Sequence, residues 1–335
     1  MNTPQLFESL ATKVWPMARR FARISRRCRG CILSERHSTF ISGRCPICAS
    51  GSGESKVVSP MVPHAERQRF DAIVRGYTRG KRYDALFLLS GGKDSAYLLH
   101  RMRTEYPDLK LLCVTVNNGF MSSVAVANAH DVAERFQTDL LVHNASIGEF
   151  ARVLRDAFLS LNGCGSYGVV DKADGDLIFA TGRALAREMG IPAMIAGLSW
   201  VQLEQIMGIT TFEMTEPAGP HSLFPLAVWR TGEQEIRQAV RDLRLMRPGS
   251  DSPVVSNSEL ILAMSVIDVL TLGYSSFEPE FAQLVREGKT DRQVWLHTFE
   301  LLEFAATRGL LNKDLRRGLS KLGLTPEDVM KKELP

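Results

Sequence analysis

Six consecutive residues, Ser90, Gly91, Gly92, Lys93, Asp94 and Ser95, bring together what a bound polyphosphate needs. Two glycines let the main chain approach an anion closely and leave its N–H groups pointing outward. Ser90 and Ser95 add hydroxyl donors, Lys93 adds a positive charge, and Asp94 can hold the Mg2+ that accompanies a triphosphate. The spacing is neither GxxxxGK followed by Ser or Thr nor GxGxxG, so neither common nucleotide fingerprint applies. An incidental Gly-Gly turn would need no particular neighbours. Here an apolar run at 84–89 (DALFLL) reads as a buried strand before the turn, and 94 to about 106 reads as a helix after it.

Four cysteines make a second constellation. Cys28-x-x-Cys31 and Cys45-x-x-Cys48 are separated by thirteen residues, and Gly30 and Gly43 suit the tight turns. Two such knuckles can set four thiolates tetrahedrally around Zn2+. A redox dithiol is the competing reading, but the pairs come in tandem and no strand precedes either. A four-thiolate site is closed, so the zinc expected here is structural. The remaining thiols are Cys113, inside an apolar run, and Cys164, inside GCGSYG. Cys113 reads as a small buried apolar residue or as a reactive thiol, and Cys164 as an ordinary loop residue or as a reactive thiol. Asn117 and Asn118 close an apolar run as turn formers or as substrate ligands. Asp171, Asp174 and Asp176 form an acidic cluster, either a solvated loop or a site for Mg2+ or a substrate amine.

The elements that position these residues follow from hydrophobic period. Apolar runs at 84–89, 109–116, 139–143 and 192–196 read as strands. Helical patterns fill 64–80, 94–106, 122–136 (with Ser122 as N-cap), 147–161 and 177–189. Alternation of this kind predicts an α/β fold with a doubly wound parallel sheet. Ligands in such sheets sit beyond the carboxyl ends of the strands, so the turns after Leu89, Val116 and Ala196 are expected to share one crevice. Residues 162–175 read as a Gly-rich loop, and 198–257 show no clear period. Five helices are expected beyond residue 257, the last opened by Thr325-Pro326-Glu327. The Ser/Gly/Pro-rich stretch 49–63 reads as a linker, and residues 6–21 as a short helical arm limited by Pro16. Three domains are therefore expected: 1–60, an arm with the zinc-binding module; 61–250, the phosphate-loop domain; and 251–335, a helical C-terminal domain.

Composition narrows the class. Hydrophobic residues make up 44% and charged residues 23% of the 335, and the formal net charge is +4. That charge does not by itself call for a nucleic-acid partner. It is uneven, with Arg19, Arg20, Arg23, Arg26, Arg27, Arg29 and Arg36 crowded near the N-terminus, as a solvated face or as a contact for phosphate or RNA. No apolar run approaches the ~20 residues of a membrane span, and no h-region of a signal peptide is apparent. A cytoplasmic protein without a membrane partner is expected, and the long apolar C-terminal helices admit a homodimer.

The SGGKDS of residues 90–95 resembles the SGGxDS motif of the PP-loop, or N-type ATP pyrophosphatase, superfamily, over roughly residues 80–200. The resemblance implies a HUP-like fold and cleavage of ATP to AMP and pyrophosphate. AMP would pass to a carbonyl-type oxygen before a nitrogen or sulfur nucleophile displaces it. It places the pyrophosphate on Ser90, Gly91, Gly92, Lys93, Asp94 and Ser95, and the nucleoside near Val116 and Gly197. Similar cysteine ribbons precede the PP-loop domain in tRNA thiolases and N-acetyl sugar amidotransferase-like proteins. The stretch through Phe120-Met121-Ser122 and the C-terminal helices resemble the PP-loop sulfurtransferases of 6-thioguanine biosynthesis. That likeness implies GMP as substrate and a pyridoxal-phosphate (PLP) cysteine desulfurase as sulfur donor. It also implies a persulfide on Cys113, with Cys164 as alternative carrier or resolving thiol. The sugar amidotransferase and the tRNA thiolase, the latter with tRNA as partner, stay open as alternatives.

Overall fold

The apolar runs form strands close to where the sequence places them: β1 (Ala85–Leu88), β2 (Leu111–Asn117), β3 (Asp139–Asn144) and β4 (Ala193–Ile195). They belong to a computed structural model that describes residues 7, 9–51, 64–77, 82–217, 219–247, 250 and 258–330. The centre of the expected 49–63 linker lies outside the described residues. The chain forms two compact units. One is built from Met1–Val58, Gly148–Asp174 and Ser252–Pro335, the other from Ser59–Ile147 and Gly175–Asp251. This grouping differs from three consecutive domains, because the cysteine module, a central segment and the C-terminal helices make one unit together.

The unit containing the strands is α/β. Its sheet has six strands in the order β3-β2-β1-β4-β6-β5. Two short additions, β5 (Glu213–Met214) and β6 (His221–Leu223), come from the stretch without a clear period. All neighbours are parallel except β5, which runs antiparallel to β6. β1 is 0–8% exposed along its length, with Leu86 and Phe87 at 0%, which is why it reads as an unbroken apolar run. Sequence order runs outward from β1 through β2 to β3 on one side and begins again at β4 on the other. The crevice at such a reversal lies between β1 and β4. Ser122 caps the helix Ser123–Arg135, its hydroxyl accepting from the Ala125 N–H at 3.1 Å.

The other unit rests on its C-terminal helices. Ile261–Leu272 packs on both Arg292–Thr307 and Asn312–Ser320. Gly318 allows the close crossing, since a Cβ there would lie 2.9 Å from the Ala263 side chain. Phe281 stacks on Trp295 at 3.4 Å between ring centres. The expected Gly-rich loop is largely helical: a turn of π-helix at Tyr167–Asp171 runs into the helix Lys172–Glu188. Asp268, fully buried, fixes this segment by accepting from the backbone N–H groups of Ser166 and Ser276, each at 2.9 Å. Proline 16 sits in the first turn of Trp15–Ala18, where its missing N–H costs nothing. Among the described residues no helix is long and apolar enough to cross a membrane.

Arg27 ties the cysteine module to these helices. Its side chain is 4% exposed and pairs with Glu278 at 2.6 Å and Glu303 at 2.7 Å. Burial works against the guanidinium charge, but the two carboxylates more than offset it, so its pKa lies above the ordinary value. Removing one member leaves a charge stranded in a dry site. Arg27→Ala is therefore expected to lower the stability of the full chain by about 3–5 kcal/mol in denaturant unfolding. Arg26→Ala, whose pair with Glu35 is solvent-exposed, should change it by less than about 1 kcal/mol.

Candidate phosphate site and metal centre

The loop after β1 is shaped by one contact. Gly91 has φ +70°, and a Cβ built on it would fall 1.8 Å from the backbone carbonyl oxygen of Ala125. No other residue fits without moving the helix Ser123–Arg135. Asn128, 1% exposed, reinforces the approach by donating to the Gly91 carbonyl at 3.3 Å and to Ser250 Oγ at 3.1 Å. The chain leaves Gly91 through Gly92, which is extended (φ −85°, ψ 166°), and enters the helix Lys93–Glu105 with no side chain capping its start. The first N–H groups of a thirteen-residue helix thus emerge beside a close-packed turn, the arrangement that favours an anion.

The loop side chains are held together. Ser90 Oγ and Ser95 Oγ are 3.1 Å apart, and the Ser95 hydroxyl donates to the Gly92 carbonyl at 3.0 Å. Lys93 Nζ lies 2.8 Å from Asp94 Oδ2, with the lysine 19% and the aspartate 38% exposed. That pair places a cation and a potential metal ligand at the loop surface. The turn after β4 closes in from the neighbouring strand, since a Cβ on Gly197 would lie 3.6 Å from the Ser95 backbone nitrogen. Beyond it Ser199 and Gln202 form a capping box that opens the helical turn Trp200–Gln202. The end of β2 is joined to the loop through Thr115, whose hydroxyl donates to the Leu89 carbonyl at 2.7 Å, and Val116 is buried beside it. Ser90, Gly91, Gly92, Lys93, Asp94, Ser95, Val116 and Gly197 therefore share one sheet edge. Asn117 and Asn118 shape the next turn by accepting from the Gly119 and Phe120 N–H groups.

The two thiols fare differently. Cys113 is 0% exposed, paired in register with Phe87 and Leu140 inside the sheet. Its thiol donates to Thr138 Oγ1 at 3.4 Å, and burial pushes its pKa up to about 11. A thiol so placed behaves as a small apolar side chain. The placement speaks against the expectation that ranked Cys113 first as a reactive thiol, because its strand position puts it well short of the carboxyl edge. Cys164 is exposed and belongs to the other unit. In that unit Asp171 is pushed up to about 7, first by burial and then by Asp174 and Glu280.

One feature of the strand-containing unit was not legible in the sequence. A hollow of about 230 Å³ is lined by Trp200, Phe212, Arg230, Glu66 and Glu204 among others. The Arg230 guanidinium lies over the Trp200 ring at 5.5 Å, and Arg230 sits at φ +50°. Apart from Glu66 of the helix His64–Gly76, these residues come from the 198–257 stretch that shows no clear period, so only the positive φ and the arginine–tryptophan contact mark it.

The four cysteines converge as their spacing predicts. Cys28, Cys31, Cys45 and Cys48 are buried, with all four sulfurs within 4.8 Å of one another. Cys31 Sγ and Cys45 Sγ are 3.8 Å apart. Ligands of one tetrahedral ion at Zn–S lengths would be separated by about 3.8 Å. The N–H groups of Cys31 and Cys45 donate to Cys28 Sγ at 3.5 and 3.2 Å. Gly30 is obligatory, since a Cβ there would lie 2.9 Å from Cys48 Sγ. Burial raises Cys31 to about 11 and Cys48 further, so a cation is what would hold all four as thiolates. The set fits a single structural metal ion, with no open position for chemistry.

No family model matches the chain. A stretch of 65 residues is 37% identical to an uncharacterized protein of Methanocaldococcus jannaschii, covering 19% of this chain and 23% of that protein, so less than a quarter of its length is matched. Similar solved structures include a U34-tRNA thiolase from Methanococcus maripaludis with its 4Fe–4S cluster (16% identity, 68% of this chain and 74% of that one, TM-score 0.33). Phosphoadenylyl-sulfate reductase from Candida auris aligns at 14% identity over 65% of this chain and 93% of that one, TM-score 0.36. The NH3-dependent NAD synthetase of Campylobacter jejuni aligns at 13% identity over 79% and 98%, TM-score 0.38. At identities and TM-scores this low, what those proteins do does not transfer to this chain.

Two outcomes follow from the loop geometry and two from the cysteine cluster. Gly91→Ala should lower stability by about 2–4 kcal/mol in chemical unfolding, through overlap with the Ala125 carbonyl and the left-handed φ. Gly92→Ala, whose nearest neighbour would be 3.4 Å away at φ −85°, should stay within about 1 kcal/mol. Elemental analysis should find about one divalent ion per chain. Cys45→Ala should lose that ion and melt at a lower temperature.

Proposed function

We propose that the chain is an ATP-cleaving, AMP-forming enzyme of the PP-loop type. The observation that carries the reading is the SGGKDS loop at the β1/β4 reversal, where Gly91 admits no side chain and the helix start at Lys93 is uncapped. In this reading the backbone N–H groups of the turn and the hydroxyls of Ser90 and Ser95 hold the pyrophosphate. Lys93 would offset charge as it departs, and Asp94 would supply a carboxylate to the Mg2+ that accompanies the triphosphate. The sheet-edge backbone by Val116 and Gly197 receives the nucleoside. The four-cysteine centre holds zinc and serves structure.

The acceptor proposed is the C6 carbonyl of a purine nucleotide, GMP. Its oxygen is a poor leaving group until adenylation makes it part of AMP. A sulfur nucleophile then attacks the carbon, AMP departs, and the purine carries sulfur. The resemblance of the C-terminal helices to 6-thioguanine sulfurtransferases supports this choice. If the sulfur travels on the protein, exposed Cys164 is chemically suited to carry a persulfide, replenished by a PLP-dependent cysteine desulfurase. An external thiol would cleave the S–S bond left after attack. The hollow beside Trp200 offers a flat aromatic face for an acceptor ring. The burial of Cys113 favours one second reading, nitrogen transfer onto an N-acetyl sugar, which needs no reactive cysteine.

The test is pyrophosphate release from Mg-ATP with GMP, a nucleotide sugar or bulk tRNA as acceptor, followed by mass spectrometry of the acceptor. GMP-dependent release with sulfur gained, lost in Cys164→Ala and kept in Cys113→Ala, is expected. Asp94→Asn should lower kcat by roughly 100-fold or more. Release that depends on the sugar and survives both cysteine variants would move the case to nitrogen transfer. No release with any acceptor would sink the ATP reading.

A further inference from the structure

The crowded N-terminal arginines are not merely a solvated face. Five of them, Arg19, Arg20, Arg26, Arg27 and Arg29, join Arg292 of a C-terminal helix in lining one cleft of about 520 Å³, in which Glu300 is the acidic lining residue. Three are already neutralised. Arg19 pairs with Glu300, Arg26 with Glu35, and Arg27 with Glu278 and Glu303. The other three pair with no carboxylate among the described residues. Arg292 is instead held by carbonyls, donating to Cys31 O at 2.9 Å and Cys28 O at 2.8 Å, so its charge is fixed in place. Arg29 is exposed, and Arg20 lies 4.7 Å over the ring of Phe21.

Phe21 supplies the second observation. It is 81% exposed, unusual for a large aromatic side chain, and it meets the cleft residue Arg20, with Met17 (66% exposed) four residues earlier. A fixed cation, two exposed cations and an exposed ring next to one of them match a charged backbone with flat bases along it better than a lone small anion.

We propose that this cleft binds single-stranded nucleic acid, with Arg20, Arg29 and Arg292 on successive phosphates and Phe21 stacking on a base. The shared chemistry is phosphate recognition. The site could also take free phosphate, and the test separates the two. The proposal does not rest on the adenylation reading, because binding is measured without ATP.

The experiment is fluorescence anisotropy of a labelled short single-stranded oligoribonucleotide with the full chain. Binding should weaken between about 50 and 200 mM salt with a log–log slope near −2, as about three released phosphate counterions require. The Arg20→Glu/Arg29→Glu double variant should lose at least about tenfold in affinity with an unchanged melting temperature. Phe21→Ala, which removes stacking but no charge, should lose roughly 5- to 100-fold while keeping the salt slope. Neither variant removes a cysteine or a member of the Arg27 pairs, and because Arg29 lies within the Cys28–Cys31 knuckle, a folding failure would be visible as a shifted melting curve. In that event Arg20→Gln and Arg29→Gln, tested singly, replace the double variant. Binding unaffected by these substitutions overturns the proposal. So does orthophosphate binding as tightly as the oligonucleotide, which makes this a free-phosphate site. Loss of binding to anionic lipid vesicles in the same variants, with no oligonucleotide binding in wild type, overturns it in favour of a membrane surface.

Discussion

At Gly91 the chain passes so close to the Ala125 carbonyl that a single methyl group would overlap it. That approach fixes how β1 turns and where the next helix can start. It also fixes the direction in which that helix sends its unsatisfied N–H groups. Asn128 locks it from the other side by bonding the Gly91 carbonyl. The phosphate edge thus depends less on the chemistry of its side chains than on two main chains lying against each other. Ser90, Lys93, Asp94 and Ser95 decorate a cavity that backbone geometry has already made.

In the other unit the organising interaction is ionic. Arg27 leaves the cysteine module and reaches Glu278 and Glu303 on the C-terminal helices. Buried pairs of this kind add little stability over apolar packing, but they tolerate no loss of a member. They specify which surfaces meet. Trp15, donating to Glu300 at 3.0 Å and lying 5.2 Å from Phe304, brings the N-terminal arm onto the same helix. A metal ion inside the module would stiffen it, and these contacts determine what the stiffened module presents.

Much of this was legible in the sequence, for identifiable reasons. The strands β1 to β4 are buried on both faces or bounded by clear turns, so apolar runs betray them. The cysteine spacing encodes a local geometry that needs no tertiary information. β5 and β6 were missed because two- and three-residue strands carry no period, and His221-Ser222-Leu223 is recognisable only through its pairing with Ala193-Met194-Ile195. The 162–175 segment was misread as loop because its glycines suggested breakage. Gly168 and Gly175 have open space around them, and long-range bonds from Asp268 hold the segment in place. For Cys113 the sequence left two readings, a small buried residue and a reactive thiol, and its full burial between paired strands is what the structure adds.

The two surfaces proposed to meet phosphate would use opposite strategies. A backbone cradle at a helix start recognises the shape of an anion, since its donors cannot move and its cavity admits one geometry. Arginine forks on flexible stems recognise charge, tolerate varied spacing and are screened by salt. A reaction that splits a triphosphate needs the first, because the leaving group must be held where charge develops. Holding an extended polyanion needs the second, because phosphates along a strand do not repeat one rigid geometry. The chain has backbone donors beside the sheet and exposed arginines, Arg20 and Arg29, near its N-terminus, which is the allocation those two tasks would require.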